Sequence, residues 1–206
     1  MQKVRLTKTN LKQQRDALQR YERYLPTLRI KKQQLQREIE WVQAELGRVR
    51  AQSDKLLGEI DKWVELLAED VGLEGLLELE RVEISWDNVA GVDVPLFVKA
   101  HTRITHYDLF STPLWVDHAV AALQKLVGLS AQQEVLKEQK RRLQRELRVT
   151  AQRVNLFERI KIPETQGNIH RISVHLGDQQ TAAFGWALLA KRKAVVAAAV
   201  GRSHDD

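Results

Sequence analysis

The stretch LKQQRDALQRYERYLPTLRIKKQQLQREIEWVQAELGRVRAQSDKLLGEIDKWVELL occupies residues 11–67 and decides the fold. Steps of three and four taken alternately from Leu11 give 17 positions, of which 14 are apolar: Leu11, Leu18, Tyr21, Leu25, Leu28, Leu35, Ile39, Val42, Leu46, Val49, Leu56, Ile60, Trp63 and Leu67. In a chain that is 43% apolar, about seven matches would arise by chance, so the excess marks a heptad stripe on one long helix. The polar exceptions Gln14, Lys32 and Ser53 are interruptions of the kind that set register at a cost in stability. Thr9 or Asn10 suits the N-cap, and Pro26 is expected to kink the helix because it removes a backbone hydrogen bond.

Residues 117–206 repeat the pattern less strictly. Ala119, Ala122, Leu126, Leu129, Leu136, Leu143, Leu147, Val154 and Phe157 form the stripe, with breaks at Gln133, Lys140 and Thr150. Pro163 and the turn-prone PETQGN are expected to interrupt this helix, which resumes with Ile169, Ile172 and Leu176 and ends in an Ala-rich tail from Ala187 to Val200. Two long helices with apolar stripes cover each other most simply as an antiparallel coiled coil. Nearly 60 residues of helix would extend on the order of 90 Å, so an elongated molecule is expected.

The middle, residues 70–116, changes period. RVEISW (81–86) alternates, DNVAG (87–91) reads as a turn, and Val92 to Val98 follows with Pro95 in a position suited to an edge strand. The expectation is a mainly α protein with a small β-hairpin, at about 81–98, that caps the paired helices. Asp117 is placed to cap the helix that follows. The domains read as an N-terminal helix (1–69), an acidic middle (70–116) and a C-terminal helix (117–206).

Charge follows the same boundaries. Residues 1–69 carry 15 basic and 10 acidic side chains, 70–116 carry 3 and 8, and 117–206 carry 15 and 9. Basic arms of this kind meet acidic protein surfaces, nucleic acid or anionic lipid. The absence of Cys among 206 residues excludes disulfides, thiolate metal sites and a cysteine nucleophile. The longest apolar run, Ala194 to Val200, is far short of the roughly 18–20 residues that cross a bilayer, and MQKVRLTKTN lacks the apolar core of a signal peptide. A soluble chain is expected.

Catalytic chemistry finds no foothold. Gly72 and Gly75 lie in an acidic stretch that fits neither phosphate-binding loop pattern. No G-x-S-x-G elbow is present. His101 and His106 near Asp108 lack a third metal ligand, and His170 and His175 do not share a helix face. No cofactor, metal or catalytic residue is therefore expected. Lys140-Arg141-Arg142 and Lys191-Arg192-Lys193 are the densest basic clusters; the first reads as a solvated helix face, whereas the second sits in an apolar tail and fits a specific partner.

With these residues in view the chain resembles the D-subunit family of the V-type and archaeal-type rotary ATPases. The likeness runs through Thr7-Lys8, Leu28, Lys31-Lys32, Asn88-Val89-Ala90-Gly91-Val92 with Pro95, Arg153-Val154-Asn155, Glu158, Pro163, Asp178, Phe184 and Lys191-Arg192-Lys193. Pro26 and Gly185-Trp186-Ala187-Leu188-Leu189 depart from that family's pattern. The resemblance implies a non-catalytic central rotor shaft. It implies that both termini enter a hexameric ring of catalytic and nucleotide-binding subunits, that the hairpin points to a membrane-side connector, and that a small globular protein, the F-subunit, binds the side of the shaft. It further implies a cytoplasmic location, peripheral to the membrane, with no nucleic acid and no direct membrane insertion. The alternative from composition alone is a basic coiled-coil scaffold or nucleic-acid-binding module.

The residues assigned to partner contact follow. Asn88, Ala90, Gly91 and Pro95 belong to the hairpin; Phe184, Trp186, Leu188 and Leu189, followed by Lys191, Arg192 and Lys193, form an apolar segment with a charged collar in the tail. With Leu11 at heptad position a, Trp41 falls at c and Ile30 at f, on the face turned away from the partner helix. Eleven residues apart, they differ by about 20° in direction and roughly 16 Å in height, so one partner, the small side protein, is expected to span both.

Overall fold

The computed structural model describes residues 4–62, 76–105 and 115–202, with side chains to residue 194. The expected seam positions Trp63 and Leu67, the glycines at 72 and 75, and the pair His106 and Asp108 lie outside the described residues. The chain is mainly α. Helix α1 spans Lys8–Ile60, strands β1 and β2 span Leu77–Val89 and Val92–Ile104, and α2 spans Trp115–Leu156. A π-helical turn, Phe157–Lys161, leads directly into α3, Ile162–Arg202. Two compact units result, residues 1–28 with 152–206, and residues 29–151.

In the second unit α1 and α2 run antiparallel, and the heptad stripe is their seam. Leu35, Ile39, Val42, Leu46 and Val49 pack with Leu136 and Leu143, and Leu129 and Leu147 complete the contact. Of the polar interruptions here, Ser53 is buried and Lys32 half-buried, so the stripe continues through them. Short hydroxyl and long amphipathic side chains can occupy a seam position while keeping their polar ends solvated or bonded.

The hairpin is longer than its alternation implied and is not a cap. Both strands have 13 residues, because Asp87 and Asn88 pair with Val94 and Asp93 and only Ala90 and Gly91 form the turn. It folds back along the helices. Val94 is fully buried in the seam cluster, and Val89, Ala90 and Val92 pack against it. The reason lies in the register: Val89 pairs with Val92 and Asp87 with Val94, so the valines share one face of the ladder, and an apolar face on a two-stranded sheet needs a cover.

The first unit is held by Tyr21 against Phe157, ring centroids 5.1 Å apart, and by buried Leu25, Val154, Thr165, Asn168 and Ile172. Three expectations are corrected by the helices. The α1 cap is Thr7, whose hydroxyl accepts the Asn10 N–H at 3.3 Å, while Thr9 and Asn10 already lie in the helix; the i to i+3 geometry puts the cap one turn before the bonded amide. Pro163 and PETQGN do not leave the helix. The preceding turn widens so that the Ile162 N–H bonds the Phe157 carbonyl, five residues back. A π turn of this kind loosens the helix just where Pro163 offers no N–H and needs room for its ring, and Thr165 Oγ1 donates to the Lys161 carbonyl at 2.6 Å. Third, Asp117 sits within the first turn of α2 because the helix starts at Trp115, so it complements the helix dipole instead of capping. Pro26 lies inside α1, which is continuous on both sides of it.

The packing of the hairpin predicts the response to truncating its inner face. Val94→Ala removes two methyl groups from a fully buried site and should cost about 2 kcal/mol, measured by urea unfolding followed by circular dichroism. A change indistinguishable from zero would mean that the hairpin is not docked in solution.

Candidate partner interface

The hairpin turn is built by backbone demands. A two-residue connection between twisted strands favours positive φ at both positions; Ala90 has φ 51° and Gly91 φ 78°. Gly91 meets this without cost, whereas Ala90 is strained in the left-handed region. Asn88 reinforces the turn from both ends: its Oδ1 accepts the Gly91 N–H at 3.0 Å, and its Nδ2 donates to Asp93 Oδ1 at 2.7 Å. Counting back from the closing pair Val89 and Val92, hydrogen-bonded and non-bonded pairs alternate, and Pro95 opposite Trp86 falls in a non-bonded pair. Its missing N–H therefore faces away from β1, and the proline is buried.

Arg142 of α2 clasps this hairpin. Its guanidinium lies 4.8 Å from the centroid of the Trp86 ring, donates to the Asp93 carbonyl at 3.2 Å, and is oriented by Glu138 at 2.8 Å. Arg141 also grips Glu138 through two N–H groups at 2.7 and 3.0 Å. Hydrogen bonds from Arg141 and Arg142 pull the Glu138 carboxyl down to about 2. Lys31, half-buried on α1, bonds Glu146 at 2.7 Å beside the turn. The basic run read as a solvated face thus serves in part as an internal strap. The missed signal was Trp86, an aromatic ring whose face attracts a guanidinium; what the sequence lacked was the register that brings residues 86 and 142 together.

Ile30 and Trp41 are 55% and 51% exposed, turned away from the seam. Trp86 is 56% exposed despite Arg142, and Ile84, on the same strand face, is 42% exposed. In the first unit, Phe184, Trp186, Leu188 and Leu189 project from α3 with exposures of 53–73%, and Lys191, Arg192 and Lys193 are exposed beyond them. None of these tail side chains makes a hydrogen bond, ion pair or ring contact with another described residue. Single exposed apolar side chains are ordinary; at helical spacing Phe184 shares a face with Leu188 and Trp186 with Leu189, so α3 carries two exposed apolar pairs on different sides.

Two of the described histidines meet a side-chain partner. His101 bonds Glu83 at 2.9 Å across the hairpin and, with nearby basic side chains, lowers the Glu83 carboxyl. His175 meets Gln179, one turn on. Among the described residues no three metal-donor side chains converge, and no helix is long and apolar enough to cross a membrane.

A family model for the ATP synthase D-subunit matches residues 10–192. The V-type ATP synthase D-subunit of Borreliella burgdorferi is 39% identical over 191 residues, covering 93% of this chain and 95% of that protein. Those of Chlamydia abortus and Chlamydia pneumoniae are 34% and 33% identical, and each alignment spans 92% of this chain and 93% and 92% of the relative.

The Glu138 pair yields a pH prediction. Its folded pKa of about 2 lies below the unfolded value, so the stabilisation is complete above about pH 4.5 and is lost as pH falls towards 2. The effect is small because the groups are solvent-exposed. Wild type should show an acid-induced change in Trp86 fluorescence in this window, isolated by subtracting Trp86→Phe. Glu138→Gln should abolish that step, and its persistence would detach the strap from Glu138.

Proposed function

The chain belongs to the ATP synthase D-subunit family, and from that premise we propose that it is the non-catalytic central shaft of a V-type rotary ATPase. It couples ATP turnover in a surrounding ring to ion transport across the membrane. The observation that carries the reading is the match along nearly the whole chain, on a fold of long paired helices. A shaft needs resistance to twist and a surface on which its housing can push, and an apolar seam between antiparallel helices supplies the first. Exposed charges supply the second, because individually weak surface ion pairs exchange readily as the shaft turns.

Its partners in this reading are the hexameric ring of catalytic and nucleotide-binding subunits, the small F-subunit at its side and a connector to the membrane-side rotor. The tail segment of Phe184, Trp186, Leu188 and Leu189, apolar on two sides of α3, with its Lys191-Arg192-Lys193 collar serves as the bearing within the ring. The hairpin engages the connector through its exposed Asn88 and Gly91, while Ala90 and the buried Pro95 hold the turn and strand in shape. Ile30 and Trp41 dock the small side protein. The protein works in the cytoplasm, peripheral to the membrane, without nucleic acid and without inserting into the bilayer.

Mild copurification tests the assignment. The chain should bring down a ring of ATPase subunits, and the isolated chain should show neither ATPase activity nor micromolar binding of Mg-ATP by calorimetry. Recovery of nucleic acid with a steep salt dependence instead would replace the shaft by a nucleic-acid-binding module. At the side contact, Trp41→Ala should weaken association by about 2 kcal/mol and leave the melting of the chain alone nearly unchanged, since the ring is half exposed. Unaltered binding would remove Trp41 from that contact.

A further inference from the structure

A groove of about 880 Å³ lies between the hairpin turn and α2, lined by Gly91 and Val92 on one side and by Arg141, Arg145, Arg148 and Val149 on the other. Its acidic residues are already engaged. Glu138 is held by Arg141 and Arg142, Glu146 by Lys31, and Asp93 accepts from Asn88. Arg145 and Arg148, both exposed, have no ion pair or hydrogen bond with a described residue. The four arginines of the lining outnumber its three carboxylates, Asp93, Glu138 and Glu146, and Arg145 and Arg148 hold the positive charge that no described carboxylate pairs.

The spacing of the arginines selects the ligand. Arg141, Arg145 and Arg148 stand at i, i+4 and i+7, so they form one stripe covering about 10 Å of helix; Arg141 grips Glu138 through Nε and Nη2 and has its Nη1 donors left for a second acceptor. Guanidinium forks recognise carboxylate and phosphate alike. The floor distinguishes the two, since Val92 and Val149 offer apolar surface that a glutamate stem or an aliphatic side chain covers and a phosphate does not. Nucleic acid would call for stacking aromatics beside the arginines, and the groove's lining holds none. We propose that the groove between the hairpin turn and the Arg141, Arg145, Arg148 stripe is a docking site for an acidic amphipathic helix of a protein partner, with carboxylates at matching i, i+4, i+7 spacing. The site goes beyond the shaft assignment and does not rest on it, because its charge and shape belong to this chain alone.

The test uses the full-length chain and a labelled synthetic helical peptide with glutamates at i, i+4 and i+7, followed by fluorescence anisotropy at low salt. A peptide of the same composition with the glutamates out of register, and a single-stranded oligonucleotide, are compared. The in-register peptide should bind more tightly than either. R145Q/R148Q should weaken it about tenfold, with an unchanged circular-dichroism melting curve because neither side chain holds the fold. R20Q/R23Q, which removes two exposed arginines of the other unit, should bind like wild type. The proposal is overturned by failure of the wild-type chain to bind, by equal loss in both double variants, by tighter binding of the oligonucleotide, or by a lowered melting point in R145Q/R148Q. None of these results bears on the family membership or on the shaft assignment, which copurification with a ring tests separately.

Discussion

Leu35, Val42 and Leu143 lose all contact with water where α1 meets α2, and the rest of the second unit depends on that seam. An isolated helix with this composition would be marginal, since propensity contributes little without packing. A two-helix seam is also narrow. Each helix buries one stripe and leaves most of its surface wet, so the available apolar area is small for the number of residues ordered. The inner face of the hairpin enlarges it: Val94 joins the cluster with no exposed surface, and the seam becomes a three-element core at that point.

Arg142 then links polar chemistry to this core. Its planar cation is stacked on Trp86, bonded to a backbone carbonyl of β2 and paired with Glu138. The Asp93 carbonyl lies in a non-bonded pair with Asn88, so it points outward from the ladder. An open sheet edge is a liability, and here α2 covers part of it with a guanidinium. The same helix presents Arg145 and Arg148 one and two turns further on, without an internal role. Neighbouring residues of one basic stretch thus divide between holding the fold and remaining available to a partner.

The first unit solves a different problem. Its seam contains polar groups, including Thr165 and Asn168, both buried, and it passes a proline. The π turn before Pro163 relieves the steric demand without breaking the helix, while Tyr21 packs against the first residue of that turn. Beyond it, α3 carries large apolar side chains in solvent, which folding alone does not explain. In the proposed shaft, those residues and the exposed Ile30 and Trp41 are the parts of the chain whose energetic purpose lies in an assembly.

The amino-acid order by itself determined the helices, the seam and the presence of a hairpin, because these follow from local period: 14 of 17 stepped positions are apolar, and each described one is buried or half-buried. It also carried the family likeness, through motifs spread along the chain. Three things waited for tertiary structure. The hairpin's direction depended on which face of the ladder the valines share, and a register of Asp87 with Val94 is not visible in a linear count. The role of Arg142 depended on residues more than 40 positions apart meeting, and charge pairing at that separation leaves no period to read. Pro163 reads locally as a stop, yet the chain continues through it because packing on both sides of the π turn outweighs one missing backbone bond.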